Sequence, residues 1–107
     1  MVKIGVLVSG GGTNLQALID AEKSGIIKNG EISLVISNKK DAYALTRAEN
    51  NGIKTAVVVK KECKDAFEFE EKIISLLEEN GIELIILAGF MCILSADFTK
   101  KYENRII

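Results

Sequence analysis

Apolar residues along the chain alternate between short continuous runs and longer stretches with helical spacing. The short runs are rich in Val and Ile, which is typical of strands that are covered on both faces of a sheet. These runs lie at Ile4–Val8, Ile32–Ile36, Thr55–Val59 and Leu84–Leu87. The pattern therefore predicts four β-strands.

The stretches between these strands place apolar residues three and four positions apart, the spacing of an amphipathic helix. Three helices are predicted in this way, on Leu15, Leu18 and Ile19, on Ala42, Leu45 and Ala48, and on Phe69, Ile73, Ile74 and Leu77. A glycine follows each helix, as expected where the chain leaves a helix through a left-handed residue. These glycines are Gly25, Gly52 and Gly81.

Two polar residues predict helix starts. Asp65, with Glu68 three positions later, predicts a capping box at the start of the third helix. Ser95 is a suitable N-cap for a short fourth helix that runs to about Tyr102.

The predicted order β-α-β-α-β-α-β is typical of an α/β protein. We expect a Rossmann-like, open, mainly parallel sheet with helices on both faces, formed by one domain over residues 1–107. The last residues, Arg105–Ile107, predict the opening of a fifth strand. The fold is therefore expected to be truncated after the start of that strand, either as a fragment or as a chain that something else completes.

Composition excludes several function classes. The 107 residues are 48% hydrophobic and carry a net charge of -1, so no field of one sign attracts nucleic acid or an anionic membrane. No run approaches the roughly 18 apolar residues of a membrane span, and no secretion signal precedes the first strand, so a cytoplasmic location is expected. The chain has no histidine, and its two cysteines, Cys63 and Cys92, predict reduced thiols and no metal site.

The first candidate site is the glycine-rich stretch "VSGGGTNLQALI", which follows the first strand and opens the first helix. Ligands of open α/β sheets bind at this place, where unpaired helix-start N–H groups and the helix dipole favour an anion. Thr13 and Asn14 add a hydroxyl and an amide. A glycine-rich turn without a ligand is the alternative.

The type of anion follows from what the loop lacks. Leu15 stands where a dinucleotide fingerprint has its third glycine, and Ser37 and Asn38 stand where the acidic ribose-binding residue would lie. Thr13 stands where a triphosphate loop has its lysine. A single phosphate monoester is the remaining prediction.

The second candidate site is "LIILAGFMCILSADF", in which an apolar loop follows the fourth strand at the same sheet edge. Such a loop can line a pocket for a flat organic ligand, with main-chain groups that contact its polar edge. The alternative is a hydrophobic loop that only covers the edge of the sheet.

Together with "VISNKKDAYALTRAENNGI", these two stretches resemble the glycinamide ribonucleotide formyltransferase family in order and separation, over essentially the whole chain. This resemblance implies formyl transfer from 10-formyltetrahydrofolate, a co-substrate, to the amine of glycinamide ribonucleotide in purine biosynthesis, without a metal. It also implies that residues 1–107 are the amino-terminal, phosphoribosyl-binding half of a formyltransferase domain, and that the carboxyl-terminal catalytic part is absent.

The resemblance assigns the site residues. The family loop "SGxG(S/T)NLQ" binds the substrate phosphate, and Gly89 lies near the glycinamide end of the substrate. The matching phosphate-loop residues are Gly11, Gly12, Thr13 and Asn14. The family loop "FMxIL" borders the pterin ring of the folate, and it corresponds to Met91, Cys92, Ile93 and Leu94.

Two positions depart from the family pattern. Cys92 fills a position that commonly holds arginine. The family also has a folate-contacting arginine before the third helix, for which Lys64 is the nearest cation here, whereas gapless counting places Ala66 there. Lys64 is accordingly a candidate folate contact, with a solvated lysine on a turn as the alternative.

No catalytic residue is expected in this chain. The family's catalytic Asn and His belong to an "NIHPS" segment that follows the fifth strand, and its Asp lies further on. The implied partners are the small-molecule substrate and the missing carboxyl-terminal half, and open strand edges leave room for a homo-oligomer. A related folate-dependent transferase or deformylase, and a non-catalytic phosphate-binding module, are the alternative functions.

Overall fold

One parallel sheet forms the centre of the molecule. The computed structural model describes residues 1–27 and 29–107. The strands are β1 (Val2–Val8), β2 (Gly30–Ser37), β3 (Lys54–Val57) and β4 (Leu84–Leu87). They pair in the order β3-β2-β1-β4, and all three pairings are parallel. The predicted open parallel sheet is confirmed.

Helices connect the strands in the predicted order. They are α1 (Thr13–Lys23), α2 (Tyr43–Asn50), α3 (Ala66–Glu79) and α4 (Ala96–Lys101), with a short 3-10 turn at Lys60–Glu62. The three helix-ending glycines all have positive φ angles, between 64° and 83°. Only glycine adopts this region without a steric cost, which is why each helix ends there.

The sheet separates two hydrophobic cores, because successive side chains of a strand point to opposite faces. On one face, α3 and α4 pack with Leu7, Leu34, Ile36, Val58, Phe69, Ile73, Leu77, Ile82, Ile85, Phe98 and Tyr102. On the other face, α1 and α2 pack with Ile4, Val6, Val8, Leu15, Ile19, Ile32, Val35, Ala44, Ala48 and Ala88. Helices therefore cover both faces, as the sequence predicts.

Side-chain caps start the last two helices. The Asp65 carboxylate accepts from the Glu68 N–H at 2.8 Å, as the capping box predicts. The Glu68 carboxylate accepts in return from the N–H of Lys64, at 3.0 Å, one residue before the N-cap. The Ser95 hydroxyl accepts from the Phe98 N–H at 3.2 Å. Each bond satisfies an N–H group that has no partner within the helix.

The third strand is shorter than predicted. The sequence predicts Thr55–Val59, whereas β3 ends at Val57. Its neighbour β2 ends at Ser37, which is paired with Val57, and a last bond joins the Val58 N–H to the Ser37 carbonyl at 2.9 Å. Beyond this point the chain has no strand to pair with, so the apolar character of Val59 does not extend the strand.

The last residues pair with β4. Ile106 forms a parallel bridge to Ile85. The Ile85 N–H donates to the Arg105 carbonyl at 2.7 Å, and the Ile107 N–H donates to the Ile85 carbonyl at 2.8 Å. These bonds are the beginning of the fifth parallel strand that the sequence predicts.

The end of α4 gives a prediction about stability. Tyr102 is 3% exposed, and among the described residues its hydroxyl has no hydrogen-bond partner. Burial raises the pKa of Tyr102 above 10.0, the charge of Glu78 raises it further, and Arg105 lowers it. The folded chain therefore holds this proton more tightly than the unfolded chain does, and stability falls as the pH rises from 10 through the folded-state pKa.

We expect Tyr102→Phe to remove this alkaline loss. At pH 7 the variant should gain about 1 kcal/mol in the free energy of unfolding, because a buried hydroxyl without a partner is lost. Urea denaturation at pH 7 and pH 10.5 measures both effects. A variant that is less stable than the parent at pH 7 would contradict an unpaired hydroxyl.

Candidate functional site

The glycine loop, Gly10–Asn14, lies between the end of β1 and the start of α1. Together with Ala88 and Gly89 it lines a recess of about 150 Å³. The Ala88 N–H donates to the Leu7 carbonyl at 2.9 Å, which fixes the end of β4 beside the end of β1. The structure thus brings Gly89 to the four predicted phosphate-loop residues, although the two segments are far apart in the sequence.

Helix α2 holds the glycine loop from behind. The Ala44 N–H donates to the Gly10 carbonyl at 3.1 Å, and the Arg47 Nε donates to the Gly11 carbonyl at 2.7 Å. A trans peptide bond carries its C=O and N–H on opposite sides. Because both carbonyls are bound to α2, the N–H groups of Gly11 and Gly12 point away from it.

The N–H groups at this end of α1 are free to bind a ligand. The first N–H group of the helix region to donate within the backbone is that of Gln16, which bonds the Gly12 carbonyl at 2.8 Å. Within residues 1–27 and 29–107, the N–H groups of Gly11 through Leu15 donate no hydrogen bond. The first turn of α1 contains no acidic residue. Unpaired donors and the positive end of a helix dipole together favour an anion.

Gly12 is fixed by its backbone and by its surroundings. It is the N-cap of α1, with φ 81° and ψ 26°, in the left-handed region. A Cβ atom at this position would lie 2.7 Å from the Cβ atom of Ala44 and 2.8 Å from its Cα atom. The small Ala44 side chain and the missing side chain of Gly12 therefore allow α2 to approach the loop.

Arg47 is held in place by three neighbours. Besides its bond to Gly11, its guanidinium lies 5.0 Å from the centre of the Tyr43 ring, and its Nη1 donates to the Gln16 Oε1 at 3.4 Å. The residue is half-buried. A planar cation can stack on a ring and still donate in the plane of its nitrogens, which an ammonium group cannot do.

The predicted folate loop follows Gly89 at the same edge of the sheet. Its side chains alternate: Met91 is 76% and Ile93 91% exposed, whereas Cys92 and Leu94 are half-buried and pack against the core. Lys64 lies elsewhere, exposed in the turn before α3, and does not line the recess. The structure therefore brings every predicted site residue except Lys64 to one edge of the sheet.

Three residues at this edge are not among the sequence-predicted site residues. Ser9 is 1% exposed and its hydroxyl accepts from the Met91 N–H at 2.7 Å. Asn38 donates through Nδ2 to the Cys92 Sγ at 2.9 Å. Arg47 is the third. A serine before a glycine loop is a weak signal in the sequence, and none connects Arg47 to Gly11, 36 residues away.

The described residues contain no group of three or more His, Cys, Asp or Glu side chains that could hold a metal ion. Cys63 and Cys92 are free thiols. None of the helices in the described ranges combines the length and apolar character that a membrane crossing requires.

Comparison with known proteins shows extensive similarity. The family model described as "Formyl transferase" matches residues 2–107. A phosphoribosylglycinamide formyltransferase of Haemophilus influenzae is 45% identical over 107 residues, which are 100% of this chain and 50% of that protein. A trifunctional purine biosynthetic protein adenosine-3 of Gallus gallus is 47% identical over 106 residues, 99% of this chain and 10% of that protein.

Solved structures agree with the sequence comparison. A phosphoribosylglycinamide formyltransferase from Coxiella burnetii superimposes with a TM-score of 0.93 at 40% identity, and the match covers 98% of this chain and 49% of that one. The chain thus spans about half the length of the bacterial relatives that it matches. On the evidence of the family model and the fold, the chain belongs to the formyl transferase family.

Proposed function

We propose that this chain supplies the substrate-phosphate loop and one wall of the folate pocket of an enzyme that transfers a formyl group from 10-formyltetrahydrofolate to glycinamide ribonucleotide, in purine biosynthesis. The observation that carries the proposal is the row of unpaired N–H groups from Gly11 to Leu15, held by α2 and facing away from it. The relatives named as phosphoribosylglycinamide formyltransferases support the same substrate.

The size of the recess favours one phosphate group. Pockets for complete small molecules usually enclose about 300–1,000 Å³, whereas the recess at the glycine loop has about 150 Å³. A phosphate monoester is small enough to enter it and to accept hydrogen bonds from several N–H groups. The rest of the ribonucleotide would then extend past Gly89 towards the loop that begins at Phe90.

The loop Phe90–Leu94 supplies the second part of the proposal. The exposed Met91 and Ile93 side chains give it an apolar outer surface that suits the face of a pterin ring. Main-chain N–H and C=O groups of the same loop are available to the polar edge of the ring. The folate would thus bind beside the substrate, along the carboxyl ends of the parallel strands.

The chemistry requires groups that this chain does not contain. The substrate amine attacks the formyl carbon, a tetrahedral oxyanion forms, and tetrahydrofolate leaves as its N10 takes up the proton that the amine loses. Donors must face the developing oxyanion, and a group with a pKa near neutrality moves the proton. The 107 residues contain no histidine, the usual side chain for this role. We therefore propose that a carboxyl-terminal partner segment provides the catalytic Asn, His and Asp.

A fusion protein tests the proposed function. In it, this chain replaces the matching half of the Haemophilus influenzae relative. We expect the fusion to transfer the formyl group to glycinamide ribonucleotide, and the 107-residue chain to bind this ligand without turning it over. Calorimetric titration measures binding, and chromatography of the formylated product measures transfer.

Three outcomes would contradict the proposal. Transfer by the 107-residue chain alone would show that catalytic residues lie within it. Release of formate without glycinamide ribonucleotide would favour a deformylase. A folded chain that binds neither glycinamide ribonucleotide nor inorganic phosphate would exclude the phosphate site.

A further inference from the structure

The loop Phe90–Leu94 has too little packing to hold its own shape. Met91 and Ile93, its outward-facing residues, are 76% and 91% exposed, so their side chains contribute little to fixing the main chain. Only alternate residues, Cys92 and Leu94, reach the core below. A loop of this kind needs hydrogen bonds to the scaffold if it is to present its main-chain groups in one arrangement.

Ser9 provides the first of these bonds. It directly follows β1 and is 1% exposed, and its hydroxyl oxygen accepts from the Met91 N–H at 2.7 Å. The next residue along the chain is Gly10, the first residue of the glycine loop. One buried side chain thus joins the end of β1, where the phosphate loop begins, to the second residue of the folate loop.

Asn38 provides the second bond from the neighbouring strand. It directly follows β2, and its own N–H donates to the Val8 carbonyl at 3.3 Å, which fixes its backbone against β1. Its Nδ2 donates to the Cys92 Sγ at 2.9 Å. Its Oδ1 is buried and, among the described residues, has no partner. The side chain is therefore directed inward at Cys92 and not towards solvent.

We propose that Ser9 and Asn38 are positioning residues that fix consecutive residues of the folate loop, Met91 and Cys92, to the carboxyl ends of β1 and β2. This inference rests on the proposed function, because it assigns the fixed main chain to folate recognition. Neither side chain needs to touch the folate. They act by keeping the loop in its binding arrangement, which lowers the ordering cost when the ligand enters.

Kinetics of the fusion protein test this role. Ser9→Ala should raise the KM for 10-formyltetrahydrofolate about fivefold, the effect expected from one hydrogen bond. The KM for glycinamide ribonucleotide should change less than twofold, because Ser9 donates nothing to the phosphate loop. Ser33→Ala is the matched control: it lies on β2, and its hydroxyl donates only to the Glu31 carbonyl, at 3.3 Å. Equal changes in both KM values for Ser9→Ala would overturn the inference.

Asn38 is tested through its partner. Asn38→Asp keeps the shape of the side chain but replaces the Nδ2 donor by an oxygen. We expect it to raise the KM for the folate about threefold when Cys92 is present, and to have no further effect when it is combined with Cys92→Ala. Additive effects of the two substitutions would show that the Asn38–Cys92 bond does not position the loop.

Hydrogen exchange gives a readout that needs no ligand. In the 107-residue chain, Ser9→Ala should speed exchange of the Met91 N–H at least fivefold and leave the β1 and β4 amides unchanged. Faster exchange throughout the sheet would instead indicate general destabilisation and would overturn the positioning role. If the parent fusion binds no folate, the proposed function fails, whereas the exchange data still decide whether Ser9 fixes the loop.

Discussion

Gly12→Ala is expected to abolish binding of glycinamide ribonucleotide and to lower the free energy of unfolding by about 3 kcal/mol. Two costs add at this position. The residue has φ 81°, which an alanine adopts only with strain, and the new Cβ atom would lie 2.8 Å from the Ala44 Cα atom. Because this neighbour is backbone, α2 must move, and the bonds that hold the loop then break. Urea denaturation and calorimetric titration measure the two effects.

Gly10→Ala is the matched control for stability. A Cβ atom at Gly10 would meet no atom within 4 Å, and Gly10 is not among the positive-φ glycines of the structure. We expect its free energy of unfolding to stay within about 0.5 kcal/mol of the parent. If Gly12→Ala were as stable as Gly10→Ala and bound the ligand normally, the close approach of α2 would not shape the site.

Arg47→Ala is expected to weaken binding of glycinamide ribonucleotide about twentyfold, since a hydrogen bond from a charged group contributes about 1.5–3 kcal/mol. The Arg47 Nε holds the Gly11 carbonyl at 2.7 Å, which turns the Gly12 N–H away from α2. Without this bond the peptide unit can rotate, and the ligand must then order the loop on binding. Arg47→Lys should recover little, because an ammonium group cannot stack on Tyr43 and reach Gly11 with the same geometry.

Arg105 offers a closely matched control for this loss. Its guanidinium also lies over a tyrosine ring, 5.1 Å from the centre of Tyr102, and it also donates to a backbone carbonyl, that of Lys101, at 3.1 Å. It does not line the recess. Arg105→Ala should leave binding to the 107-residue chain unchanged. If both variants lost affinity equally, the effect of Arg47 would reflect general charge or stability.

The secondary structure was largely predictable because each signal is local. Leu15 and Ile19 share one face of α1, and Asp65 and Ser95 cap their helices through bonds that span only three residues. The length of β3 was not predictable in this way. Val59 is as apolar as its neighbours, but the end of β2 decides where pairing stops.

The site was predictable in part. The residues that carry a recognisable motif, such as Gly12 and Asn14 or Met91 and Ile93, lie at the expected edge of the sheet. Their roles in binding stay predictions until the experiments above are done. Lys64, chosen because it was the nearest cation, is exposed and lies outside the recess.

By itself the sequence determined the element order, the helix ends, the parallel sheet and the kind of anion that the glycine loop suits, because each of these depends on residues close together in the chain. Only the tertiary structure decided how that loop is held. The contacts of Gly12 with Ala44, of Gly11 with Arg47 and of Ser9 with Met91 join residues that are distant in sequence. Such pairs are brought together by the stacking of strands and the packing of α2, and no local pattern of residues encodes them.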